Sequence, residues 1–239
     1  MFLGYYDKIS DVLKEIKETQ AEKIKAGAAL IAESIKADGI IYVFGCGHSH
    51  LLGLDLFYRA GGLVNVSAML DTDLMLHNGA AKSSKMEKMS GIAESIFERY
   101  CITERDTIIV ISTSGKNAVP VEMAKTAKKA GVKTIGLCSS SYFKDKAPED
   151  MLYHNCDVFV DSCVPRGDAV MDISNNETKM GSVSTIAGSF IMQSLVLEGA
   201  EMAAKQGARV PIYMSSNVEV GGEFNKKLIA EYLPRIKHL

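Results

Sequence analysis

Thr107-Ile108-Ile109-Val110-Ile111-Ser112-Thr113-Ser114-Gly115-Lys116-Asn117 decides how this chain is read. Its first five residues are all β-branched, and a short apolar run bounded by polar residues predicts a strand buried on both faces. The run stops at Ser112, and three hydroxyls, a glycine and an amide follow within six residues. Residues 118–130 then carry a helical pattern that ends at Gly131, a C-terminal stop signal. Strand, donor-rich loop and helix in that order put the loop at the carboxyl end of a strand, where ligands bind in open parallel sheets. The loop also opens a helix, and free N–H groups and the helix dipole favour an anion there. One cap residue would satisfy the helix. Ser112, Thr113, Ser114 and Asn117 exceed that need and are expected to hold an anion such as phosphate.

The same rhythm recurs on both sides. Gly39 to Phe44 is a second buried strand, closing at Gly45-Cys46-Gly47-His48-Ser49-His50 and followed by a helix over 50–60. Leu63–Ala68, Val132–Cys138 and Asp157–Val160 bring the strands to five. Residues 69–86 show no clear period, and 87–100 are predicted helical. Residues 182–206 form a long helix whose apolar side chains, from Val183 to Leu197, cover most faces, as in a central or interfacial helix. The tail is irregular from Arg209 and helical again from about Glu223. Alternating strands and helices imply a three-layer α/β/α sandwich around a five-stranded parallel sheet. Upstream, residues 7–37 are predicted as one helix with a stripe of Ile9, Val12, Leu13, Ile16, Ile24, Ala28, Ile31 and Ile35. The expected division is a helical extension over 1–38 and one domain over 39–239 with a C-terminal helical tail. A stripe of that length left exposed predicts a homodimer or a higher even assembly.

Composition narrows the function. Lys+Arg is 27 and Asp+Glu is 29, for a net charge of −2, which argues against a nucleic-acid partner. No run approaches the roughly 18 apolar residues of a membrane span, and the N-terminus does not resemble a signal peptide. Five cysteines with no Cys-x-x-Cys pair read as reduced thiols of a cytoplasmic protein, without a zinc site. Gly45-x-Gly47 lacks the third glycine of a dinucleotide fingerprint, since position 50 is His50, so no cofactor is expected. His48 and His50 alternate as a chelating pair would, but no third ligand lies near them, so no metal is expected.

Gly45-Cys46-Gly47-His48-Ser49 and Ile111 to Asn117, followed by Ala124-Lys125 and Lys129-Ala130-Gly131-Val132, strongly resemble the SIS (sugar isomerase) domain. The resemblance runs from about Gly39 to Gly199. Leu76-His77-Asn78-Gly79-Ala80, Val164 to Asp168, Ser182 to Gly188, and Ser216-Asn217 to Gly221-Gly222 look like a subfamily of single-SIS proteins sometimes labelled phosphoheptose isomerase. The resemblance implies a flavodoxin-like fold and a phosphorylated sugar as ligand. It places phosphate on Ser112, Thr113, Ser114 and Asn117, assigns binding to Ser49 and His48, and points to Ser182 and Thr185 at the start of the long helix.

Isomerisation by proton transfer between adjacent carbons needs a base, usually a carboxylate, and an acid/base for ring opening, often histidine. His77 lies where several sugar-phosphate isomerases of this family keep a histidine and is the expected proton-transfer group. Phosphoheptose isomerases carry a glutamate at the position of Arg59 here, which counts against heptose isomerisation specifically. Asp55, one turn earlier, and Glu198 on the long helix are the candidate bases. The expected activity is a sugar-phosphate isomerase or a related lyase, such as an etherase, that removes a proton beside a carbonyl. The alternative is a non-catalytic phosphosugar sensor.

Overall fold

The computed structural model describes residues 1–215 and 221–239; Ser216 and Asn217, which contribute to one of the motifs above, lie outside the described residues. Five parallel strands form the central sheet: β1 (Ile41–Gly45), β2 (Val66–Met69), β3 (Thr107–Ile111), β4 (Lys133–Cys138) and β5 (Val158–Asp161), in the order β2-β1-β3-β4-β5. Period-two alternation sorts their side chains between two cores. Tyr42, Phe44, Ile108 and Val110 face one core, while Ile41, Val43, Ile109, Ile111, Ile135 and Leu137 face the other. Both faces are covered, which is why these strands read as continuous apolar runs.

Helices α5 (Ala93–Glu98), α6 (Ala118–Lys129) and α8 (Gly221–Tyr232) line the first core. Helices α2 (Ala21–Lys36), α3 (His50–Leu56) and α7 (Ser184–Lys205) line the second. The expected three-layer α/β/α sandwich with its five-stranded parallel sheet is the fold observed. The strand order reverses between β1 and β3, so the loops after them diverge and leave a crevice at their carboxyl ends.

The N-terminal region differs from its sequence reading. Instead of one helix there are two, α1 (Phe2–Thr19) and α2, separated at Gln20, whose backbone leaves helical geometry at φ −109° and ψ 1°. Nor is the apolar stripe left open. Val12, Ile16, Ile31 and Ile35 are buried in the second core with Ile191 and Leu195 of α7. Gly27 lies inside α2 because a Cβ there would stand 2.7 Å from Leu195 Cδ2, and Gly199 of α7 approaches Ile31 and the Ala28 carbonyl as closely. The stripe is covered by the chain's own long helix.

Three further segments depart from expectation. The second strand begins at Val66, because Leu63 pairs antiparallel with Ile212 of the tail and Val64 N–H donates to the Pro211 carbonyl. The helix predicted over 87–100 is only α5, preceded by a turn with Gly91 at φ +90°, while α4 (Ala80–Met86) occupies part of the segment with no period. A hairpin of β6 (Ala169–Met171) and β7 (Met180–Ser182) precedes α7, so Ser182 ends a strand instead of opening the helix.

Candidate functional site

A cavity of about 420 Å³ opens at the carboxyl ends of β1 and β3. Its size is that of a small-ligand site. All eight binding residues expected from sequence line it: His48 and Ser49 after β1, Ser112, Thr113, Ser114 and Asn117 after β3, and Ser182 and Thr185 at the entry to α7.

The loop after β3 is rigid. Ser112 N–H donates to the Leu137 carbonyl at 3.0 Å, and Ser139 N–H donates to the Thr113 carbonyl at 2.9 Å, so β4 holds it on both sides. Gly115 turns the chain at φ +63°, and a Cβ there would stand 2.9 Å from Cys138 Sγ. Its N–H donates to Ser112 Oγ at 3.2 Å. Asn117 occupies the N-cap of α6, yet its side chain makes no cap hydrogen bond. Val119 N–H is taken by the Glu87 carbonyl, and Pro120 has none to offer. Val121 N–H goes to the Asn117 carbonyl, so what this end of α6 offers an anion is the helix dipole together with the loop hydroxyls and the Asn117 amide, and not a row of free helix N–H groups.

The start of α7, on the opposite rim, is different. Asp168 accepts from Val183 N–H at 2.9 Å, from Ser184 N–H at 2.7 Å and from Ser184 Oγ at 2.7 Å. This carboxylate caps the helix from 16 residues away and neutralises its positive end. Among the described residues lining the cavity there is no lysine or arginine. Two cations beside the lining are held by one carboxylate. Lys116 Nζ lies 2.5 Å from Asp145, and Arg166 grips the same carboxylate through two bonds of 2.7 and 3.1 Å. Both cations also flank the ring of Tyr142, which lines the cavity. These partners hold the Asp145 carboxyl down to about 2.

The three catalytic residues expected from sequence lie outside the lining. His77 is exposed on a single turn, with its ring centroid 6.3 Å from that of His50; its neighbour Leu76 reaches the cavity instead. Asp55 is paired with Arg59 and accepts from Gln193 Nε2 at 3.0 Å, so it joins α3 to α7. Glu198 is exposed on α7, on the side of Lys25. His50 is buried, and its Nδ1–H donates to the Gly47 carbonyl.

Two carboxylates not assigned a role from sequence line the cavity: Asp168, already engaged at the start of α7, and Glu87. Glu87 stands at the C-cap of α4, half-buried, with the Asn117 side chain near enough to favour its charged form. Burial raises its proton affinity, while the Asn117 side chain and Lys88 oppose the shift. The thiol of Cys46, also in the lining, is pushed far up by burial and is not a nucleophile.

Residues 4–139 match the SIS domain family. The chain belongs to the SIS-domain family. The match begins inside α1, so the N-terminal helices are part of it. A UPF0309 protein of Caldanaerobacter subterraneus subsp. tengcongensis is 40% identical over 98% of this SIS-domain chain and 98% of its own. One from Thermoanaerobacter pseudethanolicus is 37% identical over the full length of both. Solved structures share the fold. A phosphoheptose isomerase from Francisella tularensis superposes with a TM-score of 0.55 at 15% identity, over 84% of this chain and 96% of that one. The Vibrio vulnificus NanR protein, complexed with ManNAc-6P, gives 0.51 at 15% identity, over 98% of this chain and 69% of that one. No described helix is long and apolar enough to cross a membrane.

Proposed function

We propose that this SIS-domain protein binds a phosphorylated sugar in the β1/β3 crevice and moves a proton beside its carbonyl, as a sugar-phosphate isomerase or a related lyase does. The phosphate sits on the α6 loop, held by Ser112, Thr113, Ser114 and Asn117, with the sugar extending toward Ser49, His48, Ser182 and Thr185. The observation that carries the reading is Glu87. A carboxylate of raised proton affinity shares one cavity with an anion-binding loop, and a base poised nearer neutrality is what proton abstraction requires. It takes the role that the sequence assigned to Asp55 or Glu198. The neighbouring fold of NanR, which is complexed with ManNAc-6P, supports a sugar phosphate as the ligand class.

The assembly we propose is a homodimer or a higher even oligomer. With the N-terminal stripe covered, the support moves to α3 and α7, which touch each other. Leu51 and Leu54 on the first, and Ile186, Phe190 and Leu197 on the second, are exposed in the single chain. Sedimentation of the wild type should give an even multiple of the chain mass, and Leu54→Arg with Phe190→Arg should give a monomer.

The activity is tested by a thermal-shift screen over aldose and ketose phosphates, followed by incubation of any hit in D₂O. Exchange of a carbon-bound hydrogen, read by NMR and lowered about 10²–10⁴-fold by Glu87→Gln, is the expected result. Binding without exchange would make the protein a sensor.

A further inference from the structure

Behind the main cavity lies a recess of about 30 Å³. His48, Ser49, Thr113 and Thr185 line both, so the two adjoin along one wall. The far side is closed by Leu52, Cys138, Gly188 and Ser162. About 10–15 Å³ on this measure is enough for one water, so the recess has room for a water or a hydroxyl oxygen, about two at most, and not for a sugar ring.

Ser162 follows β5 and is only 5% exposed. Its N–H donates to the Cys138 carbonyl at 2.9 Å. Its Oγ is buried and finds no hydrogen-bond partner among the described residues. A buried hydroxyl with no partner is uncommon in native proteins, and a missing water or ligand is the usual reason. The surroundings favour that reason. Ser49, Thr113 and Thr185 line the same recess beside its apolar wall of Leu52, Ile111 and Leu137, and a small recess holds water where polar groups reach it. The back wall is fixed: a Cβ at Gly188 would lie 2.5 Å from Leu52 Cδ1, so neither helix can move in to fill the space.

We propose that the recess is a subsite for one hydroxyl oxygen, held by Ser162 Oγ, which can both donate and accept. That oxygen is either a bound water or a hydroxyl of the molecule in the main cavity. Only the second source rests on the sugar-phosphate reading above.

The experiment pairs crystal structures of the ligand-free protein and of the protein with its best-binding sugar phosphate with thermal unfolding and affinity measurements on Ser162→Ala. Electron density for one oxygen within about 2.6–3.2 Å of Ser162 Oγ is expected in the ligand-free crystal, with a lower melting temperature for Ser162→Ala. If a sugar hydroxyl displaces the water, Ser162→Ala should lower sugar-phosphate affinity about five- to twentyfold and leave inorganic phosphate affinity unchanged. Equal affinities with the water retained would identify water as the occupant. A dry recess, with Ser162→Ala melting higher than wild type, would overturn the proposal. These ligand-free readouts decide it even if no sugar phosphate binds.

Discussion

Asn117 stands at the N-cap of α6 without capping it, and its amide favours the charged form of Glu87, whose carbonyl accepts from Val119 N–H in the first turn of that helix at 3.1 Å. Asn117 thereby opposes the rise in proton affinity that burial causes in Glu87. Removing it should move Glu87 further from its ordinary range. Asn117→Ala is expected to shift the acidic limb of kcat/KM to higher pH, and Glu87→Gln to abolish that limb. The stability signs follow. A carboxyl with raised folded pKa favours the native state below its unfolded pKa and loses that contribution as pH rises through the folded value. Glu87→Gln should therefore gain stability relative to wild type toward pH 8, measured by urea unfolding.

The anion loop makes a separate claim about affinity. Each hydrogen bond to a charged group contributes about 1.5–3 kcal/mol. Ser112→Ala combined with Ser114→Ala should weaken sugar-phosphate binding about a hundredfold or more. A crystal of the wild type in sulfate should show the anion at the α6 N-terminus. Unchanged affinity in the double variant would mean the phosphate sits elsewhere.

His48 and His77 should separate in kinetics. His48 lines the cavity and His77 does not. His48→Asn should raise KM several-fold, whereas His77→Asn should leave both kcat and KM near wild type. A collapse of kcat in His77→Asn would return proton transfer to that residue.

Asp145 links Lys116 and Arg166 at the rim, and the pair depresses its carboxyl to about 2 from about 3.9 in the unfolded chain. A depressed folded pKa gives a contribution that is complete above the unfolded value and lost as pH falls through the folded one. The stability advantage of wild type over Asp145→Asn should be constant above about pH 5 and shrink between roughly pH 4 and 2. Melting curves across that range measure it.

Gly199 tests the α2–α7 contact. A Cβ there would lie 2.7 Å from Ile31 Cγ2 and 2.9 Å from the Ala28 carbonyl. Gly199→Ala should destabilise by about 1–3 kcal/mol despite the better helix propensity of alanine, read from the denaturation midpoint.

The sheet and its two donor loops were legible in the sequence because the central strands β1 and β3 are short apolar runs that stop at Gly45 and Ser112. The candidate anion loop, Ser112 to Asn117, followed from that placement, whereas His48, Ser49, Ser182 and Thr185 came from the resemblance to the SIS domain. Glu87 was not legible. Residues 69–92 are broken into single turns and the seven-residue α4, too short for a period to show. Asp168 was missed for another reason: it caps α7 from across a hairpin, and capping rules read only the residues beside a helix. The two-helix N-terminus escaped because nothing in Thr19-Gln20-Ala21 interrupts a helical pattern. The catalytic assignments to Asp55 and Glu198 relied on helix position alone, and position does not reveal that Asp55 is tied to Arg59 and Gln193.

The burial of α2 beneath α7 also sets a schedule for biosynthesis. The face of α2 carrying Ile31 and Ile35 leaves the ribosome early, while its cover begins only at Ser184. Roughly 150 residues separate them, which at about 5–20 residues per second is some 7–30 s of translation. During that interval α2 can meet α1, β3 and β5 but not the helix that covers most of its apolar face, and β1 must likewise wait for β3. A chain that stalls before Ser184 keeps that surface bare. Such fragments should be recovered with holdase chaperones or in aggregates, while the released full-length protein folds free of both.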